Sequence, residues 1–315
     1  MTTEARLVRE VHGKNGATRA ALYAPHPTLS GCVRAYLSRS ITEAAALAPD
    51  DRCNHFPPTP TCVFVWLVRG HDSRVPAHNS KHSDGEADLP VVFSGPHTRP
   101  SMSENNGPVH FFTLLMYPDA VRSLTGMAIE PHIDRYSDFW ALFDADWQAM
   151  ARAVFHARDD ASRVRLIEDF LRPRWDAAPF TPSGQAPAAT TSVSNSTVDV
   201  CENTHRIGTW SSGIAQRASQ HGRELSERQV DRRIKAWTGQ NLRQLRGLGR
   251  MESALLGVNH TAEQPALGWT ELATESGFSD QAHMCREFRH YTGMRPGEMR
   301  RSLRNESAWV YRVWA

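Results

Sequence analysis

Apolar residues in the first half of the chain come as short unbroken runs. Cys62–Val68 (CVFVWLV), Val91–Ser94 (VVFS) and Val109–Tyr117 (VHFFTLLMY) are rich in β-branched and aromatic side chains. Turn-forming stretches separate them, among them Phe56–Pro60 (FPPTP) and the polar segment from Gly70 to Pro90. Runs of this length and composition predict strands. The period then changes. Phe139, Leu142, Phe143, Trp147, Met150 and Val154 keep helical spacing, as do Val164, Ile167, Phe170 and Leu171, which predicts two amphipathic helices. From Asp176 to about His205 the chain is rich in Pro, Ala, Ser and Thr and poor in large apolar residues, the composition of a flexible linker. Everything beyond it reads as helix.

The helical part contains an internal repeat. Ser226–Gly239 (SERQVDRRIKAWTG) aligns without a gap with Asp280–Gly293 (DQAHMCREFRHYTG), an offset of 54 residues. Arg232 matches Arg286, Thr238 matches Thr292 and Gly239 matches Gly293, while Val230/Met284, Ile234/Phe288 and Trp237/Tyr291 preserve an apolar stripe. One supersecondary unit is used twice. Ser226 and Asp280 are suited to cap a helix start, and the glycines to end it with a left-handed residue. Upstream of the second copy, Thr270–Ser276 predicts a short helix, and Gly277-Phe278 makes the turn. Ile214–Ser219 plays that part for the first copy, across a longer turn at His221–Glu224, and a linking helix over about Leu242–Leu256 joins the units.

Short helix, glycine turn, second helix is the helix-turn-helix pattern. The major groove of DNA admits one α-helix, and two such helices about 34 Å apart read successive grooves. The face opposite the apolar stripe presents Arg228, Arg232 and Lys235 in the first copy, and Gln281, Cys285, Arg286 and Arg289 in the second. Arg232 and Arg286 suit bidentate contacts to guanine or phosphate, and Gln281 suits adenine. Lys235, Arg243, Arg246, Arg289, Arg300 and Arg301 suit phosphate, which positions a protein without specifying sequence.

Charge supports this division. The net charge is only +2, yet His205–Arg304 holds 16 Lys/Arg against 10 Asp/Glu and the remainder is slightly acidic. An anionic partner for one part of the chain is implied. No apolar run is long enough for a membrane span, and the N-terminus lacks the apolar stretch of an export signal. The five cysteines, Cys32, Cys53, Cys62, Cys201 and Cys285, are dispersed without a CxxC pair, the usage of reduced thiols in the cytoplasm. There is no P-loop, GxGxxG, GxSxG or HExxH motif, so no catalytic role and no cofactor is expected.

Trp269–Arg301, with its core ATESGFSDQAHMCREFRHYTGMRPGEMR, resembles the second helix-turn-helix of AraC/XylS-type regulators. Ser226–Gly239 looks like that family's first recognition helix, so the resemblance covers about Ile207–Arg304. It implies a seven-helix DNA-binding domain in a transcriptional regulator whose partner is double-stranded promoter DNA. Leu242 stands where the family often has proline, and Gly247, Gly249 and Gly257 weaken the linking helix, each by up to about 1 kcal/mol relative to Ala. The N-terminal half is similar in layout to the sensory and dimerisation domains that precede this module.

The expected architecture is an α+β N-terminal domain over 1–175, small, β-rich and cupin-like, followed by a linker over 176–205. An all-α double helix-turn-helix domain spans 206–304, and a tail 305–315. A small-molecule effector, a second protomer and RNA polymerase are the further candidate partners. His55, Trp66, His97, His110 and Tyr117 are candidates to line an effector pocket, since inward positions of a barrel mix aromatic and polar groups. His71, His78 and His82, with Asp72, Asp84 and Glu86, match no zinc spacing, and no metal is expected. Two rivals remain: a cupin-type enzyme or metal-binding barrel with an appended DNA-binding module, built on His55, His97 and His110, and a regulator with no effector.

Overall fold

The computed structural model describes residues 5–13, 16–43, 47–70, 89–105, 107–178, 206–220, 225–260 and 268–314. The histidine-rich polar segment, Cys201, the first unit's turn at His221–Glu224 and all but the start of the expected linker lie outside the described residues.

Among the described residues nine strands form in chain order: β1 (Arg6–His12), β2 (Thr18–Ala24), β3 (Val33–Ile41), β4 (Cys53–Phe56), β5 (Cys62–Arg69), β6 (Val91–Ser94), β7 (Ser101–Glu104), β8 (Val109–Met116) and β9 (Tyr136–Asp138). Seven of them make one antiparallel sheet in the order β1-β2-β3-β8-β5-β6-β9, and β4 pairs with β7. In β8, Phe112, Leu114 and Met116 join one apolar cluster while Val109, Phe111 and Leu115 join another. Both faces of the sheet are therefore buried, which is why its central strands read as continuous apolar runs.

The helices longer than one turn are α1 (Pro118–Thr125), α2 (Ala145–His156), α3 (Asp160–Asp176), α4 (Ile207–Ser219), α5 (Glu227–Thr238), α6 (Leu242–His260), α7 (Trp269–Glu275), α8 (Gln281–Thr292), α9 (Pro296–Ser302) and α10 (Trp309–Trp314). The helix predicted over Phe139–Val154 is interrupted. Asp144 accepts hydrogen bonds from the Asp146 and Trp147 amides, both at 3.1 Å, and so caps a new helix after a single turn at Phe139–Leu142. Helices α1–α3 cover one face of the sheet, where Trp66 donates to the Ala151 carbonyl at 3.0 Å and Phe64 stacks on Trp147 with ring centroids 5.7 Å apart.

That cluster does not stop at the N-terminal half. Trp210, Ile214, Ala218, Ile234 and Leu245, from α4, α5 and α6, belong to it, so the first helix-turn-helix unit shares a core with the sheet's helical face. Tyr117 stacks on Trp210 at 5.0 Å, and Asp119 accepts from the Trp210 indole at 3.1 Å and from Arg217 at 2.6 Å. The second unit has its own core of Met251, Ala254, Leu272, Phe278, Met284, Phe288 and Met299.

The glycines of α6 are places of close approach rather than weak points. A Cβ on Gly249 would lie 3.0 Å from the Gly208 Cα of α4, whereas one on Gly247 would meet the outer end of the Tyr291 side chain, its hydroxyl and the ring carbon that bears it. Gly249→Ala presses on backbone that cannot rotate away, and is expected to destabilise by about 1–3 kcal/mol as overpacking does. Gly247→Ala is expected to be near neutral, because the end of a flexible side chain yields and alanine gains up to about 1 kcal/mol in a helix. Urea denaturation of the two variants checks the contrast.

Candidate DNA-binding interface and interdomain cavity

The two copies of the repeat form the same local structure. Gln229 accepts from the Ser226 amide at 2.9 Å, and Asp280 accepts from the His283 amide at 2.7 Å, so each helix start has one of its free N–H groups engaged by a side chain. Gly239 and Gly293 both adopt φ of 75° and close α5 and α8. The threonine before each glycine is buried and bonded alike: Thr238 to the Ile234 carbonyl at 2.9 Å, Thr292 to the Phe288 carbonyl at 2.7 Å. Ile234 and Phe288 are fully buried beneath. The repeated Thr-Gly is thus a helix-ending device, and the repeated apolar stripe is a core contact.

What these constraints leave outward is basic. Arg228 and Arg232 are exposed on α5, and Gln281, Arg286 and Arg289 on α8. Arg243 and Arg246 are exposed at the start of α6, and Arg301 on α9. Three predicted contacts have other surroundings. Lys235 pairs with Glu130 of the N-terminal domain at 2.9 Å. The Arg300 guanidinium lies 4.2 Å from the centroid of the Trp269 ring. Cys285 is half-buried beside Trp269 and Arg301.

The effector-pocket candidates disperse. A cavity of about 140 Å³ lies between the sheet, the β4–β7 pair, α6 and α10, with walls that include Leu37, Phe111, Leu115, Met251, Trp309 and Trp314. Of the five residues proposed from sequence, His97 lines it, with its Nε2 2.7 Å from the Ser94 hydroxyl. Trp66 and Tyr117 are consumed by the core on the helical face of the sheet. His55 lines a separate pocket of about 250 Å³ with Met294 and Asn305, and burial lowers its pKa. His110 engages Asp160 of α3 at 3.2 Å. Alternation explains the dispersal, because neighbours in a strand point to opposite faces and both faces here are buried. His55, His97 and His110 do not converge, and among the described residues no group of His, Cys, Asp or Glu is placed to hold a metal ion.

Sequence reasoning missed the cavity's polar end and its C-terminal wall. Arg34 of β3 forms a buried ion pair with Glu252 of α6, and Glu252 also accepts from the Ile207 amide at 2.7 Å. Both residues line the cavity. After α9 the chain turns back, and Glu306 reaches the sheet. Its carboxylate accepts from Thr18 at 2.6 Å, Arg39 at 3.2 Å and Arg312 at 3.1 Å. Desolvation raises the Glu306 pKa, but the Thr18 hydrogen bond and the charges of Arg312 and Arg39 outweigh it and hold the carboxyl below its usual range. Trp309 donates to Asn54 at 2.9 Å, and Trp314 lies under the Arg34 guanidinium, 4.2 Å from its ring centroid. Arg39 is almost fully buried, its pKa pushed down to about 10 by desolvation, and its Nε and Nη1 make no hydrogen bond. A buried donor left so costs about 1–3 kcal/mol. The alternation of Trp, Val and Tyr in AWVYRVW was the signal available for this wall.

Among the described residues no helix is long and apolar enough to cross a membrane. Compared by sequence with characterised proteins, the chain matches none. In structure it is similar to ToxT from Vibrio cholerae, at 10% identity over 79% of this chain and 96% of that one, with a TM-score of 0.36. A ToxT structure bound to (E)-4-(8-methylnaphthalen-1-yl)but-3-enoic acid aligns at 11% identity over 80% and 98% of the two chains, TM-score 0.36. Another, with an unsaturated fatty acid bound, aligns at 10% over 79% and 94%, TM-score 0.32. The profile of the helix-turn-helix domain family matches residues 223–302, a span that holds both copies of the repeat and the helix between them. Residues 223–302 are thus a helix-turn-helix domain of the AraC type, and the chain carries the DNA-binding module of a transcription regulator.

Proposed function

We propose that α5 and α8 are the two recognition helices, and that an apolar small molecule in the interdomain cavity controls how the N-terminal half holds them. The observation that carries the first part is the pair Arg232 and Arg286. They occupy equivalent positions on two identically ended helices, both with their side chains in solvent. Gln281 and Arg228 lie at the starts of the same helices, where recognition helices contact base edges. Arg289, Arg301, Arg243 and Arg246 supply the phosphate contacts. Lys235 and Arg300 are further phosphate contacts, the first in exchange with its exposed pair to Glu130.

The effector reading is supported by the walls of the cavity, apolar throughout except for Arg34, Glu252 and His97 with a few hydroxyls. It touches the sheet, the linking helix of the DNA-binding domain and the C-terminal helix together. A molecule there contacts both halves of the chain.

Selection from a random duplex pool should enrich one asymmetric site spanning about two helical turns, and Arg286→Ala should relax it at one position and cost about 1–3 kcal/mol there. Arg289→Ala should weaken all sequences alike and lower the slope of log K against log salt by about 1. An unchanged mobility shift for both variants overturns the docking.

A further inference from the structure

The last ten residues, ESAWVYRVWA, are nearly all apolar around one and a half helical turns. A helix this short has no stability of its own, so its place is set by what it packs against. It packs in two directions. Trp309, Val310 and Val313 belong to the cluster on the inner face of the sheet, with Leu37, Phe111 and Leu115. Ala308 and Tyr311 belong to the core of the second helix-turn-helix unit. The first unit is fastened to the N-terminal half separately, through Asp119 and the shared core around Trp210. Each unit therefore has attachments of its own: the second unit's are α10 and, through the α6 residues Met251 and Ala254 of its core, the Arg34–Glu252 pair.

We propose that α10 is a displaceable plug of the cavity, and that an effector which takes the place of Trp309 and Trp314 frees the second helix-turn-helix unit from the N-terminal half. This rests on the effector reading above and adds its regulation. The volume argues for it. A cavity of about 140 Å³ is of the size that admits benzene, about 150 Å³, whereas small-molecule sites run from about 300 to 1,000 Å³. An effector of ordinary size is fully enclosed there only if a wall moves. Strands β3, β5 and β8 are held by ladders on both sides, β4 and β7 are tied to each other, and α6 is a helix of 19 residues. The wall with the least backbone to disturb is α10.

The chemistry of the anchor fits release. What holds the start of the tail to the N-terminal half is polar: the Glu306 carboxylate with Thr18 and Arg39, and the Glu306 amide with Asp51 at 3.1 Å. Water replaces those partners once the tail lifts, and it satisfies the two Arg39 nitrogens that docking leaves without one. The apolar contacts that the tail gives up are remade by the effector. Docking and binding thus compete for the same inner face of the sheet.

The test uses 8-anilino-1-naphthalenesulfonate as the apolar probe, with the full chain. Its binding to the wild type should speed amide exchange across 306–314 while leaving β8 protected. Trp309→Ala should bind it about tenfold more tightly, because the binding-competent fraction rises, and Val65→Trp, which fills the cavity, should abolish binding. Should Trp309→Ala fail to fold, the exchange measurement on the wild type decides alone. Saturable binding that leaves exchange at 306–314 unchanged overturns the plug and leaves the effector site standing. Binding that Val65→Trp does not affect overturns both.

Discussion

Glu252→Ala is expected to lower stability by about 3–5 kcal/mol, the range for breaking one side of a buried ion pair. Arg34 and Glu252 side chains are 7% and 14% exposed, so water cannot take the place of the lost carboxylate at the Arg34 guanidinium. Glu252 also accepts from the first amide of α4, a helix start with no side-chain cap of its own. The substitution removes a charge partner and a cap together, at the point where the sheet meets the linking helix. Urea denaturation followed by tryptophan fluorescence measures it. The paired change Arg34→Met with Glu252→Leu should recover most of the loss, since a buried pair replaced by apolar groups of similar volume is often neutral. A loss below about 1 kcal/mol for Glu252→Ala would mean that the pair behaves as a surface pair does, and that the two halves are not fastened there.

Asp160→Asn is expected to cost a similar amount, and to do so with a particular pH dependence. Asp160 accepts from Ser38 at 2.6 Å and Arg163 at 2.9 Å, and engages His110 at 3.2 Å. The carboxylate and Arg163 are both buried. Desolvation raises its pKa, but the hydrogen bonds from His110 and Ser38 and the charges around it outweigh that and hold it far below the ordinary value of 3.8. A carboxyl depressed in the folded state contributes stability that is fully present above its unfolded pKa and is lost as pH falls through the folded value. At neutral pH the asparagine variant leaves Arg163 buried without its counter-charge, and should lose about 3–5 kcal/mol. The gap between wild type and variant should then narrow once the pH drops below about 4. A gap that stays constant from pH 7 to pH 2 would show that Asp160 acts through shape rather than charge.

The elements that could be read from the chain are those whose burial leaves a one-dimensional trace. Strands β5, β6 and β8 are covered on both faces and so read as apolar runs. The helices α5 and α8 carry a stripe, a starting cap and a terminal glycine, all enforced by contacts within some twelve residues. Strands β1, β2 and β3 left no such trace. β1 is an edge strand with Leu7 and Val8 exposed. β2 is rich in alanine, which propensity counts against a strand. β3 buries Arg34, Ser38 and Arg39 among its apolar residues, and each of those polar groups is tolerable only because a partner arrives from Glu252, Asp160 or Glu306 in distant parts of the chain.

The candidate site divides in the same way. Arg228, Arg232, Gln281, Arg286 and Arg289 were legible because the face a helix turns outward follows from the face it buries. Lys235 was placed on that face by the same argument and Arg300 was expected at phosphate, and only the structure brings Glu130 to the first and Trp269 to the second, 105 and 31 residues away. By itself the sequence determined that the C-terminal part is a repeated helix-turn-helix unit with a basic face, since caps, stripes and terminal glycines act locally. Only the tertiary structure decided that the first unit shares a core with the sheet's helices, that Arg34 meets Glu252, and that the last helix fills a cavity. Those contacts join residues up to 288 positions apart. They are selected by the packing of two buried sheet faces, and no period along the chain records which partner a buried face will meet.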